Sequence, residues 1–360
     1  MTINNTSVIQ KIVLLFLGVA GLYYSKVFLM PLLIAGLLAT LFLPVCKWME
    51  KKKISKGLAV FLCLLLLLSV ISGIVLLLSL KVSEVIADIA VIKHKIIEAI
   101  VYVQQYIFDH LGITVEEQFK ILKSEQPSFT SIVQLIAGSL AYIVTNFVLV
   151  SVYFLFLLYS RAHIKNFILK LAPASQQSEL EKVIYSASHI SQQYLIGISK
   201  MIVCLWIMYS IGFSAIGVKN AIFFAILCGL LEIIPFIGNI TGTTLTVLVS
   251  ALHGASFPML GGIIAIYAVI QFIQGFVLEP LIVGPQVKIN SLFTIIALVL
   301  GQLLWGIPGI ILAIPITAII KILCDHIEPL KPYGFLIGET NKKHNSLITK
   351  IIQLKQKIHK

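Results

Sequence analysis

A chain of 360 residues, 59% hydrophobic and only 12% charged, with a mean hydropathy of +1.01, lies far from the roughly 45 to 50% apolar, 25% charged profile of soluble domains. Too little charge excludes disorder, and five scattered cysteines exclude a disulfide-stapled secreted module. The remaining class is an all-α polytopic membrane protein. The net charge of +12 arises from 27 basic residues against 15 acids, and Arg161 is the only arginine. Lysine without interleaved arginine on so apolar a chain reads as loop charge, not as a nucleic-acid surface.

A spanning helix needs about 20 apolar residues. Stretches free of Asp, Glu, Lys and Arg run over 12–25, 27–46, 57–80, 126–160, 201–218, 233–278 and 289–320, and 220–231 joins its neighbour through Glu232 alone. The first has no small-residue cleavage site and is expected to be an uncleaved span. About eight membrane segments result. Lys47, Lys51, Lys52, Lys53 and Lys56 face only Glu50 between the second and third stretches, which places that loop and the N-terminus in the cytoplasm. Block 81–125 is rich in acids and is expected outside as a helical insert, since Val82, Val85, Ile86, Ile89 and Ile96 recur at helical spacing. Residues 161–200 read as cytoplasmic amphipathic helices, divided at Pro173 with Ser175 as the next cap. The tail from Lys321 holds eight lysines against three acids and is cytoplasmic too. The predicted organisation is thus a four-span scaffold over 1–160, cytoplasmic helices over 161–200, a C-terminal transport region over 201–323 and a basic tail over 324–360.

Helix breakers mark that C-terminal region. Glu232-Ile-Ile-Pro235-Phe-Ile-Gly238-Asn-Ile-Thr-Gly242 interrupts one apolar segment. Leu278-Glu279-Pro280 with Gly284-Pro285 follows, and then Gly301-Gln-Leu-Leu-Trp-Gly306-Ile-Pro308-Gly309 interrupts another. With Pro31 and Pro44 flanking the second span, Lys56-Gly57-Leu58-Ala59 opening the third and Gln193-Tyr194-Leu195 leading into the fifth, this ordered set closely resembles the AI-2E family of bacterial transporters. The chain departs from the family pattern at Tyr159-Ser160, Gly197-Ile198 and Ser291. The resemblance implies a multi-pass inner-membrane protein, a homo-oligomer with a pentamer as the expected assembly, and one of two activities. These are export of autoinducer-2 and exchange of Na⁺ or Li⁺ against protons.

The residues themselves narrow the chemistry. Glu232 and Glu279 are the only acids inside the apolar stretches of the C-terminal half. An ionised group at bilayer depth costs at least about 2.5 to 3.5 kcal/mol, so it usually faces a pathway or a partner. Broken backbone is tolerated there only when buried in protein or lining a polar cavity, and paired breaks point to a transporter site. The expected substrate or ion pathway is therefore Glu232, Pro235, Gly238, Asn239, Thr241, Gly242, Thr243, Gln271, Gln274, Glu279, Gln302, Gly306, Pro308 and Gly309, with Thr244 nearby. Amides and hydroxyls suit a small polar solute, and freed carbonyls suit Na⁺; interhelical hydrogen bonding and, for Gly238 to Gly242, close packing are the bland alternatives. The segments at 221–253 and 289–321 either cross the bilayer or turn back as re-entrant hairpins, and the hairpins would favour an elevator-like motion against the scaffold.

No H-E-x-x-H, G-x-S-x-G, phosphate loop or C-x-x-C motif is present. The expectation is a non-enzymatic protein with no metal and no cofactor, whose partners are the lipid bilayer, a small polar solute and/or Na⁺ and H⁺, and further copies of itself. A non-transporting scaffold or regulator is the competing class.

Overall fold

The computed structural model of this chain describes residues 5–87, 129–235, 237–283 and 288–339. The insert 81–125 lies outside the described residues beyond Ala87, and so does the basic tail from residue 340. The architecture is helical, as its hydropathy dictates. Helices α1 (Asn5–Tyr24), α2 (Lys26–Lys51) and α3 (Lys56–Ala87) are followed by α4 (Phe129–Lys170) and α5 (Gln177–Ala215). The C-terminal half contains α6 (Ala221–Leu231), α7 (Ile237–Leu252), α8 (Phe257–Ile273) continuing into a π-helix (Gln274–Val283), α9 (Ser291–Trp305), α10 (Ile307–His326) and a short α11 (Lys331–Ile337).

Among the described residues, six helical stretches are long and apolar enough to cross a membrane, and three shorter apolar helices, Ala221–Leu231, Gly238–Leu252 and Ser291–Trp305, accompany them. The amphipathic stretches around 164–171 and 180–195 are not separate helices. They are the ends of α4 and α5, which run for 42 and 39 residues, because nothing between Ser160 and Lys170 stops the first. Pro173 provides the break, with its extended ψ of 151° opening a turn at Ala174–Gln176. Ser175 does not act as the cap; Gln176 holds that position without a side-chain cap bond. Pro31 and Pro44, expected to flank the second span, both lie inside α2, with Pro31 buried.

The two larger cores among the described residues organise the molecule. In the N-terminal half, Ala35, Ala39 and Cys46 of α2 meet Ala59, Val60, Cys63 and Leu67 of α3 and Phe154 and Leu158 of α4. Small side chains suit this setting, since lipid is as apolar as leucine and close backbone approach has to supply the packing. At the end of this core Arg161 forms an ion pair with Glu50 and donates to the Leu158 carbonyl at 3.1 Å and to the Cys46 Sγ at 3.4 Å. In the C-terminal half Met201, Leu205, Tyr209 and Phe213 repeat every fourth residue along α5 and pack on Phe224, Ala225 and Cys228 of α6 and on Ile263 and Ile270 of α8. The long α5 touches α2, α4 and α10 as well and so joins the two halves.

Candidate functional site

Helix α6 is only 11 residues long, about 16 Å at 1.5 Å per residue. It stops because Pro235 has no N–H to give the Leu231 carbonyl, which accepts instead from Ile234 at 2.9 Å. Residues 232–235 form the turn, and α7 runs back along α6 for 16 residues, about 24 Å. Glycines make this hairpin close. A Cβ on Gly238 would strike the Leu231 carbonyl, and one on Gly242 would meet Cys228 Sγ at 2.9 Å and its Cα at 3.1 Å. On the other side of α6, Gly229 accommodates the Trp206 ring, whose Nε1 donates to the Ile226 carbonyl at 3.0 Å.

A second hairpin is built the same way. Gly306 links α9 to α10 at φ +66°, ψ −143°, backbone that side-chain-bearing residues rarely adopt. Pro308 starts α10, where its missing N–H costs nothing. Gly301 and Gly309 approach so closely that a Cβ on either would collide with the other's carbonyl. The arms are unequal: α9 has 15 residues, and α10 has 20 and matches a full span. The two hairpins meet at Ile234, which follows Glu232 by two residues and packs on Leu298, Ile310 and Ala313.

Glu232 occupies the end of α6 and is 6% exposed. Its Oε1 accepts from Gln274 Nε2 at 2.6 Å, and Gln274 Oε1 in turn accepts from Gln271 Nε2 at 3.1 Å. Both glutamines lie where α8 passes into the π-helix, one helical turn apart. Among the described residues, the second carboxyl oxygen, Oε2, is buried without a hydrogen-bond partner, as are Asn239 Oδ1, Thr243 Oγ1 and the Tyr209 hydroxyl. Tyr209 lies toward Gln271 but outside hydrogen-bonding geometry. Four orphaned buried oxygens around one hairpin are unusual, because buried polar groups are nearly always paired.

The structure thus brings together Glu232, Gln271 and Gln274 through hydrogen bonds, and Pro235, Gly238, Asn239, Gly242 and Thr243 through the hairpin. Thr241 and Thr244 stand on the opposite, exposed side of α7. Gly306, Pro308 and Gly309 shape the neighbouring hairpin. Glu279 is exposed on the π-helix near Tyr194 of α5, and Gln302 is exposed on α9; neither joins the Glu232 network. Helical period extends the buried polar stripe of α7 from Asn239 and Thr243 to Thr246 and Ser250, both buried. Thr246 donates to the Gly242 carbonyl at 2.8 Å and lies 3.8 Å from Cys228 Sγ. Spacing of four, three and four residues would have found these two in the sequence. Tyr209 carries no such signal, sitting in an uninterrupted apolar run. Among the described residues no group of three His, Cys, Asp or Glu gathers as for a metal ion.

Comparison with known proteins decides the family. The AI-2E family transporter model matches residues 12–328. This chain belongs to that family. The match spans both hairpins and the Glu232 network, so the site described above is part of the family's shared region and not an appendage to it. Relatives carry the same assignment in general terms. YueF of Bacillus subtilis (strain 168), described as a candidate transport protein, is 28% identical over 81% of this AI-2E member and 82% of its own length. MT0215 of Mycobacterium tuberculosis, similarly described, is 26% identical over 81% of each chain. YhhT of Escherichia coli (strain K12) is 22% identical over 93% of this chain and 95% of its own. The protein is a multi-pass member of a membrane transport family.

Proposed function

We propose that this protein is an ion-coupled secondary transporter that exports a small polar solute of the autoinducer-2 type, with Glu232 as the coupling group. One observation carries the reading: a carboxylate buried among apolar helices, held on one oxygen by Gln274 and left unpartnered on the other. Desolvation makes such a group costly when ionised, so a structure that keeps it gains from its changing charge state. The first hairpin supports an elevator-like motion. Both of its arms are too short for a 30 Å hydrocarbon core, while α2, α3 and α4 share a core of their own for it to move against.

A second reading, exchange of Na⁺ or Li⁺ against protons, draws on the same site. Glu232 Oε2, Asn239 Oδ1 and Thr243 Oγ1 are hard oxygen ligands with no donor among the described residues to satisfy them. Lysine-rich 47–56 and the tail support a cytoplasmic location for both termini under the positive-inside rule, and the bacterial inner membrane is the proposed location. A homo-oligomer, a pentamer by the family resemblance, is the proposed assembly.

The test is purified protein in sealed vesicles under an imposed pH gradient. Dissipation of the gradient by Na⁺ or Li⁺ favours exchange, and gradient-driven accumulation of a solute from a panel of small polyols favours export. Glu232→Gln should remove either response while the protein remains folded. Full transport by that variant would retire Glu232 as the coupling group, and silence of the wild type in both assays would favour a scaffold.

A further inference from the structure

Helix α2 ends in a turn that concentrates positive charge. Lys47, Lys51, Lys52, Lys53 and Lys56 are all exposed within ten residues. The one acid among them, Glu50, is taken by Arg161. Among the described residues, no ion pair engages any of the five lysines, whereas Lys165, Lys321 and Lys331 each face a carboxylate at 2.5 Å.

Two aromatic rings lie beneath this charge. Lys52 Nζ sits 4.1 Å from the centroid of Trp48, and Lys56 Nζ sits 4.8 Å from that of Tyr159 at the end of α4. Both rings are exposed, at 55% and 48%. Exposed Leu58 and Phe61 on α3 and Phe156 on α4 continue from them along the helices. Lysine over an amphipathic ring, with apolar side chains beyond, is the layering of a membrane interface at headgroup depth.

The backbone adds an independent sign. The turn is a Schellman motif, with the Ile54 N–H bonding to the Met49 carbonyl at 3.3 Å and the Lys53 N–H to the Glu50 carbonyl at 3.0 Å. Its left-handed residue, at φ 66°, is Lys53, where glycine is the usual occupant because a Cβ is strained there. A lysine kept in that position retains charge at the expense of conformational ease.

We propose that the α2–α3 turn, with Tyr159 of α4, is a docking site for anionic phospholipid headgroups, the lysines taking the phosphate and the aromatic rings fixing its depth. Charge complementarity argues for the occupant, since five lysines without an ion pair among the described residues follow directly on an apolar helix long enough to span, and such juxtamembrane clusters attract anionic headgroups.

The experiment uses the full-length protein in vesicles of equal phosphatidylglycerol and phosphatidylcholine, released gently and weighed by native mass spectrometry. Wild type should retain phosphatidylglycerol in preference. Each of Lys52→Gln, Lys53→Gly and Lys56→Gln should lower that retention about fivefold, the worth of one lysine near an anionic surface. Lys53→Gly is the sharpest variant, because it should weaken lipid retention while leaving the melting midpoint at or above that of wild type. Removing one charge elsewhere, as Lys170→Gln, Lys182→Gln or Lys200→Gln singly, should leave retention unchanged. Equal retention of the two lipids by wild type, or equal losses from the two sets of variants, overturns the proposal. Displacement of the phosphatidylglycerol by inorganic phosphate at constant ionic strength would assign the site to the free anion and overturn it as well.

Discussion

The Glu232–Gln274 bond makes a prediction about stability that a double-mutant cycle tests. Gln274→Leu removes the donor to Glu232 Oε1, a contact of 2.6 Å between two buried side chains. The carboxyl would then have both oxygens buried without a partner, since Oε2 already has none. A hydrogen bond to a charged group contributes roughly 1.5 to 3 kcal/mol, so a loss of about 2 kcal/mol is expected and the melting midpoint should fall by a few degrees. Glu232→Gln acts differently. It keeps an oxygen for Gln274 to donate to and withdraws a charge that is costly to bury, so stability should stay within about 1 kcal/mol of wild type. The double variant completes the cycle, and a coupling of at least about 1 kcal/mol is expected for two side chains in direct contact. Thermal unfolding of detergent-purified protein, followed by the loss of helical circular dichroism, reads all four corners. If Gln274→Leu melts with wild type, or if the two substitutions are simply additive, the bond does not hold the carboxylate and the reasoning fails.

Glycine packing gives a second test: Gly238→Ala and Gly309→Ala should each destabilise by about 2 kcal/mol or more, because their Cβ atoms would strike backbone carbonyls. Gly261→Ala, with open space around it, should stabilise by about 0.5 to 1 kcal/mol through helix propensity; a thermal ranking in any other order contradicts the hairpin geometry. Arg161→Ala should cost about 1 to 3 kcal/mol, by stranding Glu50 and withdrawing the donor to Leu158, and Glu50→Gln should recover part of that loss in the same melting assay. For topology, cysteines placed by Lys219→Cys and Ala251→Cys in a cysteine-free background sit at the open end of the first hairpin. An impermeant thiol reagent should reach both from one side of the membrane, and labelling from opposite sides would mean that the hairpin crosses.

Much of this arrangement is written along the chain. The apolar runs and their charge-free lengths announce a membrane protein, since lipid offers no partner for polar backbone and leaves helices as the economical solution. The breaks at Pro235 and Gly306 to Pro308 and the rarity of acids in the C-terminal half are likewise local facts, and they mark Glu232, with Gln271 and Gln274 on the neighbouring segment, from the sequence alone. Helix ends were less legible. The amphipathic face at Ile164, Phe167, Ile168 and Leu171 looks like a surface helix, yet it is the continuation of α4, because periodicity describes a face and not a terminus.

What tertiary structure alone decided is which polar residues share an interior. Glu232 and Glu279 are indistinguishable as charges in apolar sequence, but one is enclosed between α6 and the start of the π-helix and the other lies open on its surface. Thr241 and Thr244 flank the break as closely as Thr243 does, yet the 3.6-residue turn of α7 sends them outward and carries Thr246 and Ser250 inward instead. Tyr209 enters only because α5 passes beside α8. The composition and the breakers therefore fix the kind of protein and the location of its hairpins, while the long-range packing of α5, α6 and α8 selects the residues that form the site. Hydropathy is a property of segments, but hydrogen bonding depends on which segments meet.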